Sequence, residues 1–145
     1  MADANAIHVE VVTPDGEVYR DEVSMVVLPG VEGEMGVLPR HEPLVTLLRV
    51  GETRARHSDG TWSYIATGMG YAQVLFDTVF VVVDHGELAG AIDVARAEAA
   101  LARAQELIKT QSDPGARAEA DFYRAEQALR RAENRLAVAR RRAIK

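Results

Sequence analysis

Residues 78–108 read TVFVVVDHGELAGAIDVARAEAALARAQELI, and the chain changes character inside this stretch, near Gly90. Ten of the eleven glycines and four of the five prolines lie in residues 1–90, whereas the last 55 residues hold sixteen alanines and ten arginines. Glycine and proline mark turns, while alanine and arginine favour helix. The composition therefore predicts two modules, a β-rich module at 1–90 and a helical module at 91–145.

The charge divides at the same place. Five basic against fourteen acidic side chains give residues 1–90 a formal charge of −9, and twelve against eight give residues 91–145 a charge of +4. The net charge of −5 and the few aromatic residues in the helical module argue against nucleic acid as the main partner. The chain has no cysteine, which excludes disulfides and thiolate metal sites. Without a long apolar run or an apolar leader, we expect a soluble protein that does not insert into lipid.

Short apolar runs separated by turn residues fill the first module. Strands are predicted at 7–13, 24–28, 44–50, 53–57, 61–67, 70–76 and 78–84, and Pro14-Asp15-Gly16 predicts a hairpin turn after the first of them. This spacing is typical of an all-β sandwich or barrel. Because the run at 78–84 is apolar on both faces, we expect the helical module to cover the face that the core does not.

Residues 28–44, LPGVEGEMGVLPRHEPL, hold three glycines and three prolines in seventeen positions. Such a segment is stiff, and two interpretations are open: a long turn between strands, or a contact loop that presents large side chains to a partner. The candidates for contact are Glu32, Glu34, Met35, Arg40 and His41. A phosphate-binding loop is not indicated, because the glycines recur every third residue and no Lys-Ser pair follows them.

Large apolar residues recur every seven positions in the second module, at Val94, Leu101 and Ile108 and again at Phe122, Leu129 and Leu136. Alanines lie three positions after five of these six residues, at Ala97, Ala104, Ala125, Ala132 and Ala139. This pattern predicts a seam of alternating large and small residues on each helix, and an antiparallel hairpin that turns near Asp113-Pro114-Gly115. The predicted fold class is therefore α+β.

Arginines lie off this seam at matching intervals, Arg96 and Arg103 on the first helix and Arg124, Arg131 and Arg135 on the second. Because positions seven residues apart lie on nearly the same face of a helix, each set of arginines forms a stripe along its helix. The stripes are open to three interpretations: a solvated face, a site for a polyanion such as a nucleotide, or a surface that docks on an acidic protein.

Catalytic chemistry is not indicated by the nucleophiles and metal ligands of the chain. The histidines, His8, His41, His57 and His85, form no close pair in sequence, and Ser24, Ser58 and Ser63 lie in no nucleophile-elbow motif. We therefore expect no catalytic residues and no metal site.

The order of these features closely resembles the epsilon subunit of F-type ATP synthases over essentially the whole chain. The most specific segments are residues 32–44 and 92–97. The resemblance implies a sandwich of about ten short strands followed by a helical hairpin. It also implies a non-catalytic rotor subunit that requires no cofactor.

The resemblance further implies partners. The acidic tip at Glu32 and Glu34, with Met35 beside it, would face the ring of c subunits, and His41 would lie near the gamma subunit. The hairpin would leave the β module, extend along gamma toward the alpha/beta head and inhibit ATP hydrolysis. The location would be peripheral, on the cytoplasmic face of a bacterial inner membrane, with a thylakoid membrane as the alternative.

Some bacterial members of this family bind ATP on the closed hairpin through a motif that Ile92-Asp93-x-x-Arg96-Ala97 matches. The matching positions continue at Glu87, Arg103, Arg124, Arg131 and Arg135. The resemblance thus implies ATP as a regulatory ligand, although the turn at 111–116 departs from the family pattern.

Two other functions compete with a rotor subunit. One is a free-standing regulator that senses a nucleotide through the helical hairpin. The other is a small β-sandwich enzyme that uses the histidines to hold a metal.

Overall fold

Ten short strands come first in the chain and two helices follow. The computed structural model describes residues 5–110 and 116–143. The strands are β1 (Ile7–Thr13), β2 (Gly16–Val23), β3 (Met25–Gly30), β4 (Gly33–Val37), β5 (Leu44–Leu48), β6 (Gly51–Arg56), β7 (Trp62–Thr67), β8 (Gly70–Leu75), β9 (Thr78–Val83) and β10 (Gly86–Leu88). A 3₁₀ turn (Ala89–Ala91) leads into helix α1 (Val94–Thr110), and helix α2 (Ala116–Ala139) ends in a second 3₁₀ turn (Arg140–Ala143).

The strands form two layers of one continuous sheet. The hydrogen-bonded order is β10-β7-β6-β3-β5-β8-β9-β1-β2, with β4 on β3, and the two halves join where Gly30 pairs with Leu48. All pairs are antiparallel except β1 with β9. This is the sandwich that the spacing of the short strands predicts.

Between the layers lies one apolar core. Its largest fully buried side chains include Leu28 of β3 and Ile65 of β7, and the rest are mostly valines of β1, β3, β8 and β9. Two buried threonines interrupt it: the Thr53 and Thr67 hydroxyls lie 2.8 Å apart, and Thr67 Oγ1 also donates to the Gly51 carbonyl oxygen at 3.3 Å. Each hydroxyl is therefore satisfied inside the core.

Replacing Thr67 with valine, which has the same shape, is expected to lower the free energy of unfolding by about 1–2 kcal/mol, because the buried Thr53 hydroxyl then loses its partner. Urea unfolding at constant m-value measures this change. The double variant Thr53→Val with Thr67→Val is expected to regain much of the loss. A double variant that loses the sum of both single effects would contradict the argument.

The seven strands predicted by pattern are confirmed to within two residues, and so is the turn at Pro14-Asp15-Gly16, where Gly16 has φ +123°. The interpretation of residues 28–44 as one long loop is wrong. Pro29 and Glu34 face each other across a β3–β4 hairpin, and Gly33 at its turn has φ +136°. The pattern also missed β2 and β10, because β2 is mostly exposed and β10 has only three residues.

The helical hairpin is confirmed, but its contact surface differs from the predicted seam. All five predicted alanines are buried, whereas Val94 is 38% exposed, Phe122 is 39% exposed, and the other four large residues are half-buried. Alanines on the contact line bring the two backbones so close that larger side chains are displaced to its edges. The turn predicted at Asp113-Pro114-Gly115 lies outside the described residues.

The helices do not cover the outer face of β9, so this prediction is wrong. Helix α2 packs instead across β6 and β7, where Val138 and Ala139 join Ala66, Ala89 and Ile92 in a small buried cluster. Phe80 on the outer face of β9 remains 38% exposed. This small cluster is separate from the core of the sandwich.

Candidate functional site

A cavity of about 620 Å³ opens where α1 and α2 meet the ends of β7 and β10. Its floor is formed by residues at the strand ends, among them Thr67, Gly68 and His85, and its walls come from both helices. Pockets for nucleotide-sized ligands fall in the range of about 300–1,000 Å³. We call this cavity the arginine cleft.

Four guanidinium groups and two carboxylates line the arginine cleft: Arg96 and Arg103 from α1, Arg131 and Arg135 from α2, Glu87 from β10, and Asp93 from the segment that connects β10 to α1. Helical periodicity brings each pair of arginines to the side facing the other helix. The lining carries a formal charge of +2, so it favours an anionic ligand.

Only part of this charge is paired. Arg135 Nε lies 3.0 Å from Glu87 Oε1, and Asp93 Oδ1 accepts a hydrogen bond from the backbone N–H of Arg96 at 3.1 Å, which caps α1. Arg96, Arg103 and Arg131 make no ion pair within the described part of the chain. Guanidinium groups without carboxylate partners bind phosphate oxygens well, because their N–H groups match them in geometry and charge.

The structure brings together six of the nine residues expected at a nucleotide site, and places the other three elsewhere. Ile92 and Ala97 are buried and are not among the residues that line the cleft. Arg124 is not among the lining residues; its side chain is 81% exposed and it pairs with Asp121 at 3.7 Å. Asn134, which sequence reasoning missed, lines the cleft and donates to the Gly51 carbonyl oxygen at 2.8 Å. No motif marks Asn134, since its position depends on how α2 lies on β6.

The residues expected to contact partners lie before, within and after β4. Glu32 is exposed at the β3–β4 turn, whereas Met35 turns toward the sandwich and packs against its core. His41 follows the far end of β4, half-buried, and its Nδ1 donates to the Glu42 carbonyl oxygen at 2.8 Å. The tip and His41 therefore belong to separate surfaces.

Glu34 is held by Arg54 of β6 through two hydrogen bonds, at 3.2 and 3.1 Å. These bonds and the charge of Arg54 lower the pKa of the Glu34 carboxyl below its ordinary value. The carboxylate is therefore ionised and fixed in direction at neutral pH.

The outer face of β5, β8 and β9 carries apolar side chains that nothing in the described chain covers. Val45 is 66% exposed, Leu47 is 64% exposed, Tyr71 is 41% exposed and Phe80 is 38% exposed. Leu47 pairs across the sheet with Tyr71, and Val45 pairs with Gln73, which pairs with Phe80, so these residues share one side. We call this surface the apolar face. Contiguous apolar surfaces of this kind mark sites of protein association.

Of the histidines and serines considered for catalysis, Ser63 and His57 are joined through their side chains, whereas Ser24 Oγ donates to the backbone carbonyl oxygens of Arg56 and His57, at 2.9 and 3.5 Å. Ser63 Oγ lies 2.7 Å from His57 Nε2, and His57 Nδ1 lies 3.6 Å from Asp21. Ser63 is inside strand β7, opposite Ala55, instead of on the sharp turn that exposes a catalytic serine. Among the described residues there is no group of three or more His, Cys, Asp or Glu side chains placed to hold a metal ion.

In the part of the chain that the structure describes, neither helix is both long and apolar enough to span a membrane.

The fold defines a two-module protein in which a β sandwich carries a helical hairpin with a cationic cleft. The family model described as "ATP synthase, Delta/Epsilon chain, beta-sandwich domain" matches residues 6–89, and the one described as "ATP synthase, Delta/Epsilon chain, long alpha-helix domain" matches residues 91–140. The chain belongs to the ATP synthase delta/epsilon chain family.

Relatives along almost the whole chain carry the same family name. An ATP synthase epsilon chain from an Exiguobacterium species is 41% identical over 92% of this chain and 96% of its own length. The ATP synthase epsilon chain of Halalkalibacterium halodurans is 44% identical over 93% of this chain and 98% of its own. The resemblance inferred from the sequence is confirmed.

Two solved structures share the fold. A chain in the cryo-EM structure of the Euglena gracilis mitochondrial ATP synthase OSCP/F1/c-ring in rotational state 1 superposes with a TM-score of 0.74 at 22% identity, over 100% of this chain and 85% of that one. A chain of the Tetrahymena thermophila mitochondrial ATP synthase central stalk/c-ring superposes with a TM-score of 0.60 at 14% identity, over 95% and 99%. At these identities the likeness shows the fold alone.

Proposed function

We propose that this chain is a non-catalytic subunit of the rotor of a bacterial F-type ATP synthase, and that its helical hairpin regulates ATP hydrolysis. The observation that carries the proposal is the 41–44% identity to bacterial ATP synthase epsilon chains over nearly the full length. The peripheral location expected for such a subunit is the cytoplasmic face of the cell membrane.

The apolar face is the proposed docking surface for the gamma subunit. Its four exposed side chains lie on strands whose opposite side fills the core, so the surface is rigid and its apolar area is free for a partner. A rigid contact suits a shaft, because torque passes only through contacts that do not yield. The tip at Glu32 is free to face the polar loops of a c ring, as the family resemblance implies.

The hairpin is the proposed regulatory element, able to leave the β module and reach the alpha/beta head. Its attachment supports this: five mostly small residues form the buried cluster, and the polar contacts are those of Asn134 with Gly51, Arg135 with Glu87 and Arg141 with Glu52. A weakly attached element shifts between two positions when a ligand or partner binds one of them better. The charge of +4 on residues 91–145 favours an acidic surface as the second docking place.

The arginine cleft is the proposed site for ATP as a regulatory ligand. Both helices contribute arginines, so phosphates bound there would bridge α1 and α2 and favour the closed hairpin. The cleft equally suits a free-standing nucleotide sensor. Binding to the gamma subunit distinguishes the two functions, because a rotor subunit binds gamma and a free-standing sensor does not.

Addition of the chain to an F1-ATPase that lacks its epsilon subunit tests the proposal. The wild-type chain is expected to bind the complex and to lower ATP hydrolysis. Compared with the wild-type chain, Glu52→Gln is expected to lower the rate of ATP hydrolysis by a further factor of about two to three. Arg141 loses its carboxylate partner in this variant, so the released hairpin gains population. The measurements are size exclusion and the steady-state hydrolysis rate.

The matched control is Glu22→Gln, which makes the same charge change at an exposed position of β2 and should behave as the wild type. Binding without any change in hydrolysis would contradict the regulatory role alone. A chain that stays separate from the gamma-containing complex would contradict the rotor assignment and favour the free-standing sensor.

A further inference from the structure

Four charged side chains connect the end of α2 with the tip of the β3–β4 hairpin. Arg141 Nε lies 3.0 Å from Glu52 Oε2, Arg54 lies 3.5 Å from Glu52 Oε1, and the same guanidinium pairs with Glu34 at 3.1 Å. Charge alternates along this row, so each inner group is shared by two partners. We call the row the ion-pair network.

Aromatic side chains hold both arginines of the network in position. The Arg54 guanidinium lies 5.7 Å from the centre of the Trp62 ring, and that of Arg141 lies 5.2 Å from the centre of the Tyr64 ring. The two rings stack on each other with centres 6.5 Å apart. The side chain of Glu52 is only 15% exposed and that of Arg54 only 24%, so solvent screens the inner pair less than a surface pair.

We propose that the ion-pair network couples the tip to the hairpin, so that a cationic partner group that binds Glu34 loosens the attachment of α2. The coupling rests on the mobile hairpin proposed above. The partner is identified by its chemistry, as a lysine or arginine side chain on the surface that faces the β3–β4 turn.

The direction of the coupling follows because Arg54 is shared between Glu34 and Glu52, and Glu52 is shared between Arg54 and Arg141. When a cationic partner group binds the Glu34 carboxylate, Arg54 keeps only Glu52 as a carboxylate partner. Arg54 then neutralises the charge of Glu52 more completely. Glu52 then attracts Arg141 less, and the closed hairpin loses stability. Removal of Arg54 has the opposite effect, because Glu52 is left to Arg141 alone. The lowered pKa of the Glu34 carboxyl is due first to its hydrogen bonds with Arg54 and to the charge of Arg54, with smaller contributions from Arg49 and Arg141.

Thiol labelling measures the attachment directly, because the chain has no cysteine of its own. Ala139 is 5% exposed in the cluster that joins α2 to the β module, so an Ala139→Cys thiol reacts only when the end of α2 lifts. Ala72, 0% exposed in the core, provides an Ala72→Cys variant that reports global unfolding. A neutral reagent, 4,4′-dithiodipyridine, avoids attraction to the arginines. When closing is faster than labelling, the rate is proportional to the opening constant.

Glu34→Gln is expected to raise the labelling rate of the Ala139→Cys thiol about two- to fourfold, and Arg54→Gln to lower it by a similar factor. In the Arg54→Gln background, Glu34→Gln should change the rate by less than about 1.5-fold, because the connection is broken. Glu32→Gln is the matched control, since Glu32 lies at the same turn and makes no ion pair with the described residues. It should leave the rate unchanged.

Equal rates for Glu34→Gln and Glu32→Gln, or additive effects of Glu34→Gln and Arg54→Gln, would overturn the coupling and leave the mobile hairpin intact. If the Ala139→Cys thiol labels no faster than the Ala72→Cys thiol in every background, the hairpin opens only by global unfolding. That result would overturn the mobile hairpin and the coupling together.

Discussion

Leu47→Asp is expected to lower the affinity of the chain for a gamma subunit by more than about 100-fold. Leu47 lies on β5, at the edge of the apolar face and opposite Tyr71, and its side chain is 64% exposed in the isolated chain. Binding would bury it, and an aspartate there would place an unpaired charge in an apolar interface. Large apolar side chains that an interface buries fully cost about 2–4 kcal/mol when lost, and a buried unpaired charge adds to this.

The measurement is titration of the purified gamma subunit, by calorimetry or light scattering, into each variant. Because Leu47 points away from the core, the melting temperature of Leu47→Asp should match that of the wild type. Tyr123→Asp is the control: Tyr123 is 55% exposed on α2, which packs on β6 and β7 and leaves the apolar face open, and its variant should bind normally. If Leu47→Asp binds within threefold of the wild type, the apolar face is not the gamma surface.

Arg103→Ala and Arg131→Ala are each expected to weaken ATP binding by about 10- to 100-fold. Each residue puts a guanidinium without a carboxylate partner into the arginine cleft, one from each helix. A charge-assisted hydrogen bond contributes about 1.5–3 kcal/mol, and each ~1.4 kcal/mol is tenfold in affinity. Loss of either arginine also removes one side of the bridge that would close the hairpin.

Calorimetry with ATP up to millimolar concentration measures this effect. Arg124→Ala removes the same charge from α2 at a position outside the cleft and should leave binding unchanged. Equal losses from Arg124→Ala and Arg131→Ala would show that the effect is general attraction of an anion to a basic hairpin. Absence of heat with the wild-type chain would refute the ATP site itself, without bearing on the association with gamma.

Much of the fold could be predicted because its signals are local. The alternation at 7–13 and the glycine at Gly16 specify a strand and its turn within ten residues of each other. The seven-residue repeat of alanines specifies one helix face and hence the line of contact between α1 and α2. The segments at 32–44 and 92–97 were specific enough to indicate the family, and the family comparisons confirm it.

The candidate site was predicted less completely. The repeat placed Arg96 and Arg103 on one face, and both line the cleft. It placed Arg124 with Arg131, yet Arg124 lies outside the cleft, because it is almost two turns farther than Arg131 from the end of α2 that packs on the β module. Periodicity gives the direction of a side chain around its helix, whereas its distance from another element depends on where the two pack.

The sequence by itself determined the elements, their order, the alanine contact between the helices and the family, since these follow from the chemistry of neighbouring residues. Tertiary structure decided that α2 covers β6 and β7 and leaves the apolar face open, because β9 is apolar on both sides and its pattern cannot distinguish a core from a docking surface. It also decided that Arg54 lies between Glu34 and Glu52, and that Arg141 reaches Glu52 from 89 positions away. Contacts of that kind depend on strand register and helix placement, which no short stretch of sequence contains.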